Sequence, residues 1–352
     1  MHLYDFWFLV IAVLWTGYFF LEGFDFGVGV LVNLLARGET ERRVLINTIG
    51  PVWDGNEVWL ITAGGATFAA FPAWYGAMFS AFYLPLLLVL VCLILRVVAF
   101  EYRAKREDHR WKRNWEQIIF WSSLITAFAW GAVFADMVHG LRVDAAGDVT
   151  GGAGYLISPY ALLGGMTTLL LFTFHGTVFT ALKTVGDIRV RARALALKLG
   201  LLTAVAAVAF LGWTQAQRGD SWSLAALAVA VVALLASLAA NQAGREGWAF
   251  AFSGVTVAGT VAVLFLCLFP DVLPSTLNPA WSLTVANASS AHYTLTVMTW
   301  VAGFFTPLVL LYQGWTYWVF RKRIGVQHIP AAHGPQAGQR PGSVGGVGAG
   351  VR

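Results

Sequence analysis

Two pairs of acids sit where acids are costly. Glu22-Gly23-Phe24-Asp25 lies inside the first long apolar run, and Trp53-Asp54-Gly55-Asn56-Glu57 opens the second. In each pair a spacing of three puts both carboxylates on one face of a helix. An ionised carboxylate in hydrocarbon is expensive, so such groups are protonated, paired, or turned toward a watery cavity. Arg96, near the end of the third apolar run, is the candidate counter-charge, and Asn56 adds an amide at similar depth. Carboxylates crowded beside an arginine are the working parts of a proton relay. The chemistry to expect is proton entry from the cytoplasm, carried by Glu22, Asp25, Asp54, Asn56, Glu57 and Arg96.

Plainer roles exist for some of these residues. Asp54 can be a helix N-cap with Glu57 as its box partner, because acids at a helix start meet free N–H groups and the positive end of the dipole. Glu22 and Asp25 have no such use: at a rise of ~1.5 Å per residue from Phe6 they lie roughly 24 and 28 Å along the span, in its cytoplasmic part. Gly23, Gly27 and Gly29 suit close helix contact. Of the seven histidines only His175 is well inside an apolar run, whereas His2, His109, His328 and His333 lie outside the runs and His139 and His292 at their outer ends. A bis-histidine haem site is therefore not expected, and His175 reads as a packed residue bonded to a hydroxyl. Asp136, in the outer part of the fourth run, is a lesser candidate for ion traffic. The two cysteines, Cys92 and Cys267, fall in opposite halves of the bilayer, which argues against a disulfide or a thiolate metal site. No phosphate-cradling loop, nucleophile elbow or HExxH motif occurs.

A lipid-embedded scaffold must position these residues. The 352 residues are 58% hydrophobic and only 12% charged, with a mean hydropathy of +0.67; in soluble domains about a quarter of residues are charged. Runs long enough to cross a bilayer, about 20 residues, fall at roughly 6–35, 52–72, 76–100, 116–138, 156–182, 198–217, 221–240, 247–269 and 293–320. The first begins almost at Met1 without a basic n-region or a small-residue cleavage site, which reads as a retained helix and not a signal peptide. With the N-terminus outside and the C-terminus in the cytoplasm, all of the 23 Lys and Arg except Arg142 and Arg218 collect on the cytoplasmic side, as the positive-inside bias requires. An even number of spans would destroy that pattern. The pI near 9.3 therefore reflects topology and not a nucleic-acid partner. Trp53, Trp74, Trp111, Trp115 and Trp222, near span ends, suit the interfacial belt. The expectation is a single transmembrane domain over 1–324 and a disordered cytoplasmic tail over 325–352, rich in Gly, Ala, Pro and Gln.

Ordered motifs along nearly the whole chain resemble subunit II of the cytochrome bd-type quinol oxidases. They are Gly23-Phe24-Asp25-Phe26-Gly27-Val28-Gly29, Glu39-Thr40-Glu41-Arg42-Arg43, and the stretch from Trp53 to Ala66 that contains Trp53-Asp54-Gly55-Asn56-Glu57-Val58-Trp59. Later come Phe100-Glu101-Tyr102-Arg103, Lys183-Thr184-Val185-Gly186, Trp248-Ala249-Phe250 and Thr296-Val297-Met298-Thr299-Trp300.

The resemblance implies an all-α integral membrane protein with about nine transmembrane helices, in two four-helix bundles plus one peripheral helix. It implies a homologous, pseudosymmetric partner, subunit I, that carries three haems, two b-type and one d-type, and the quinol-oxidising loop. This chain would ligate no haem and would support assembly of the haem sites. The complex would oxidise quinol on the outer side of a bacterial cell membrane and reduce oxygen to water with cytoplasmic protons, forming a gradient without pumping. Positions matching Asp25 and Asp54 belong to that family's cytoplasmic proton route, and Glu22 and Arg96 fit it. Other members carry neutral amides at the positions of Glu57 and His175. A bound structural quinone or lipid and a small single-helix subunit also occur in the family. Two other functions compete on the residues alone: a purely structural membrane partner, and a proton-coupled secondary transporter. The transporter would want helices interrupted near the midplane, whereas the acids here lie toward the inner face.

Overall fold

The computed structural model describes residues 2–329 except 152, 153, 155 and 156. Eleven α-helices are present among them: α1 (Leu3–Leu34), α2 (Glu39–Ile49), α3 (Trp53–Ala70), α4 (Pro72–Ala81), α5 (Tyr83–Tyr102), α6 (His109–His139), α7 (Pro159–Lys183), α8 (Asp187–Arg218), α9 (Ser221–Gln242), α10 (Glu246–Leu268) and α11 (His292–Val319). A small antiparallel hairpin, β1 (Asp271–Leu273) with β2 (Leu283–Thr284), lies between the last two helices. Of the expected tail, residues 330–352 lie outside the described residues, and the chain before them closes with a 3-10 turn over Val326–His328.

Local chemistry sets the helix ends. Asp108 accepts from the N–H groups of Arg110 and Trp111 and starts α6 several residues before its apolar run. Ser158 followed by Pro159 starts α7, and Asp220 starts α9; each cap satisfies donors that the first helical turn leaves free. Pro72 lacks the N–H that would extend α3 and starts α4, and the expected run over 76–100 is divided at Phe82, three residues before Pro85, into α4 and α5. Eight helices are long and apolar enough to cross a membrane, namely α1 and α5 through α11. The second expected run corresponds to α3, which is long enough but whose polar first turns leave it short of that measure in hydropathy. The short helix α2 falls where the sequence suggests only a loop; Val44, Leu45, Thr48 and Ile49 form its buried face.

α1 is the hub of the bundle, packed against α3, α6, α7 and α10. Lipid is as apolar as a leucine side chain, so close packing must hold such helices together. Gly27 and Gly176 let α1 and α7 touch: a Cβ on Gly27 would lie 2.8 Å from the Cα of Gly176. Toward the other end, Trp15, Phe19, Trp130 and Phe134 interlock, with Trp15 and Phe19 each 5.0 Å from Phe134 between ring centroids. Trp74 belongs to this buried interior as well, at 1% exposure, and not to an interfacial belt, whereas Trp222 is exposed.

The end of the bundle that carries α2 is laced by ion pairs. Arg103 reaches Glu116 at 2.6 Å and Glu39 at 2.9 Å, and Arg42 adds a contact of 3.3 Å to Glu116. Two of the sequence motifs, Glu39–Arg43 and Phe100–Arg103, are thus halves of one contact. Arg191 pairs with Glu41 at 2.7 Å, and Glu246 gathers Arg189 and Arg323. Partial burial alone would push the Glu41 carboxyl up, but hydrogen bonds from Arg191 and the Arg37 N–H outweigh it and hold the group below its ordinary range.

Candidate functional site: a buried acid cluster

Glu22 and Asp25 project from the C-terminal half of α1, and both are fully buried. Nη1 of Arg96, on α5, lies 2.9 Å from Glu22 Oε2, with both side chains completely enclosed. The guanidinium also lies over two aromatic rings, 4.7 Å from the centroid of Phe26 and 5.3 Å from that of Phe100. Cation–π attraction and one ion pair compensate part of the cost of taking that charge out of water. One turn earlier on α1, the hydroxyl of Tyr18 accepts from the indole N–H of Trp130 at 3.1 Å.

Asp25 is tied to a different helix. Its Oδ2 accepts from Nδ2 of Asn56 on α3 at 2.7 Å. Asn56 Oδ1 in turn accepts from the hydroxyl of Tyr317 at 2.7 Å and from Nε2 of Gln313 at 3.3 Å, both on α11. Gln313 Oε1 accepts from the indole N–H of Trp59 at 2.7 Å. Four buried polar atoms of the cluster have no partner among the described residues: Glu22 Oε1, Asp25 Oδ1, and Nε and Nη2 of Arg96. Buried polar atoms in native proteins are normally satisfied, so these four set the cluster apart from the rest of the interior.

The second acid pair is placed differently. Asp54 is exposed and, with Asn56, Trp59, Gln313 and Tyr317, lines a groove of about 870 Å³ between α3 and α11. Neither acid caps α3, whose N-cap is Val52 and carries no side-chain bond, so the capping alternative fails. Glu57 is half-buried and lies within electrostatic reach of both Arg96 and Asp54. The predicted residues therefore form a graded series from exposed Asp54 through Glu57 to enclosed Glu22, Arg96 and Asp25. Gln313, Tyr317 and Trp59 were not among the residues singled out from sequence; the signal available was a glutamine and a tyrosine four apart, on one face of an otherwise apolar helix.

No cluster of three or more His, Cys, Asp or Glu able to hold a metal occurs among the described residues. His175 has both ring nitrogens engaged inside the chain, Nδ1 with Ser253 Oγ at 2.7 Å and Nε2 with the Phe20 carbonyl at 3.1 Å. Its ring stacks on Phe250 with centroids 4.9 Å apart. A haem iron could take neither nitrogen without breaking that packing, so this residue does not fit an axial ligand. Asp136 stands apart from the cluster, near Ser158, whose hydroxyl donates to it at 3.4 Å.

The model of the family described as cytochrome bd terminal oxidase subunit II matches residues 3–320. The chain belongs to that family. Members of the cytochrome bd subunit II family with similar sequences include the cytochrome bd ubiquinol oxidase subunit 2 of Bacillus subtilis, 44% identical over 328 residues, which cover 92% of this chain and 97% of the relative. The cytochrome bd-I ubiquinol oxidase subunit 2 of Escherichia coli K12 is 36% identical over 92% of this chain and 95% of its own length. Among solved structures, that of the bd oxidase from Geobacillus thermodenitrificans superposes with a TM-score of 0.73 at 20% identity, covering 92% of this chain and all of the matched one, and so shares the fold. Membership makes this protein a multi-pass membrane subunit of an oxidase and displaces the transporter reading.

Proposed function

We propose that this chain is the non-haem subunit of a quinol:oxygen oxidoreductase, which supports its haem-bearing partner, subunit I, and delivers protons to it from the cytoplasm. The names of its relatives, ubiquinol oxidase subunits, support quinol and oxygen as substrates of the complex. The three haems, two b-type and one d-type, belong in this reading to the partner, where they supply the electron transfer. This chain's own α-helices form nine spans, α3 included, arranged as two four-helix bundles with one peripheral helix, the N-terminus outside and the C-terminus inside. A structural quinone, bound lipid and a small single-helix subunit complete the assembly. The groove between α3 and α11 is apolar along most of its length, as a quinone tail or an acyl chain requires.

One observation carries the proton role: Glu22 and Asp25 are entirely enclosed, yet each keeps an oxygen without a partner beside a half-satisfied Arg96. A proton is taken up at exposed Asp54, passes to Glu57 at the margin, and reaches Glu22 Oε1 and then Asp25 Oδ1, while the Arg96 guanidinium stabilises whichever carboxylate is ionised. The test is Asp25→Asn and Asp54→Asn in the assembled complex, read by haem spectrum, oxygen uptake and proton uptake in vesicles. Haem content stays at the parental level and oxygen reduction falls on the order of a hundredfold, the usual scale for losing a positioned proton donor. Loss of haem together with assembly would instead mark the acids as structural, and undiminished turnover would remove the route.

A further inference from the structure

The helix that contributes least to the interior makes the bond that orients the cluster. In α11 only 6% of the membrane-spanning window is buried, yet Gln313 and Tyr317 reach through the α3–α11 groove to Asn56. The sense of every bond in this network is fixed by its far end. An indole N–H can only donate, so Trp59 turns Gln313 Oε1 toward itself and the amide N–H₂ toward Asn56. Asn56 Oδ1 then receives two donors, from Gln313 and from the Tyr317 hydroxyl, and its own N–H₂ has to face Asp25. An amide neither takes up nor releases a proton near neutral pH. The network therefore transmits orientation but not protons, and it stands between the groove and Asp25.

We propose that Gln313 and Tyr317 are positioning residues for Asp25: acting through Asn56, they keep a donor on Asp25 Oδ2 and leave Oδ1, away from the groove, as the carboxylate's open oxygen. Protons that enter at Asp54 then reach Asp25 by way of Glu57 and Glu22, and not directly across Asn56. A neighbouring subunit that grips or shifts α11 would change the bonding of Asp25 without touching it. The inference rests on the proton-delivery reading given above.

The experiment uses the intact complex with its haem-bearing subunit and compares Tyr317→Phe/Gln313→Leu, Asn56→Ala, and all three substitutions combined, with Asp25→Asn as reference. Freeing the Asn56 amide removes one charge-assisted bond to Asp25, which is expected to slow oxygen reduction on the order of tenfold. It also displaces the midpoint of the pH–rate profile by about half a unit or more, with haem content unchanged. Because the α11 pair acts only through Asn56, the triple variant is no slower than Asn56→Ala alone. Additive losses in that cycle, or slowed turnover with an unmoved pH profile, would make the α11 residues mere packing and overturn the inference. If Asp25→Asn slows the complex while the α11 pair has no effect, this inference falls and proton delivery stands. If Asp25→Asn has no effect, proton delivery falls and the inference with it.

Discussion

At the residue scale, the enclosed pair Glu22–Arg96 governs what the cluster tolerates. Removing one member of a buried ion pair leaves an uncompensated charge, at a cost of about 3–5 kcal/mol, whereas removing both together is often nearly neutral. Arg96→Met is thus expected to lower the thermal unfolding temperature of the detergent-solubilised complex markedly, and Glu22→Gln/Arg96→Met to recover most of that loss without recovering oxygen reduction. The check is a melting curve alongside turnover for the two variants; a double variant as fragile as the single one would show that the pair's aromatic cage, and not its charge, is what matters. That these two residues meet was readable from sequence, because opposite charges in hydrocarbon have few alternatives to each other. Their partners on α11 were not readable: Gln313 and Tyr317 lie 257 and 261 positions from Asn56, and periodicity rules speak only of neighbours a few residues apart.

At the element scale, helix existence was legible wherever apolar length decided it, and boundaries were not wherever a polar cap or a proline decided it. α6 gained a turn and more at its start from the Asp108 cap, and α8 runs from Asp187, well ahead of its apolar core, because its first turns pair with acids on α2 and α10. α2 itself was missed because eleven residues of mixed polarity resemble a loop until their ion pairs are seen. Those pairs make its docking sensitive to acid. The folded Glu41 carboxyl binds its proton more weakly than an unfolded one, so its contribution is complete above the ordinary carboxylate range and fades as pH falls through it. A pair as accessible as Glu41–Arg191 contributes about 0.2–1 kcal/mol. Glu41→Gln is therefore expected to melt slightly below the parent protein near pH 7 and together with it near about pH 3. Melting curves of both proteins across that interval provide the check, and a gap that widened in acid would contradict the sign.

At the scale of the whole molecule, the distribution of charge and the position of the acid cluster make one joint claim. The ion-paired end bearing α2, Arg103 and Glu246 is the end toward which Glu22, Asp25 and Asp54 lie along their helices, and it holds nearly all the basic side chains among the described residues. If positive charge marks the cytoplasmic face, a proton route opening at Asp54 draws from the cell interior; with the opposite insertion the same acids would draw from outside and would build no gradient. Topology and mechanism therefore stand or fall together, and orientation can be measured without reference to activity. Both native cysteines are buried, so background labelling by a membrane-impermeant thiol reagent is low. Lys105→Cys and Ala145→Cys place single exposed thiols at the two ends of the bundle. In intact cells the thiol at position 145 is expected to react and that at 105 to react only after the membrane is opened. The reverse pattern would leave the helices as described and would turn the acid cluster to face the wrong side of the membrane for energy conservation.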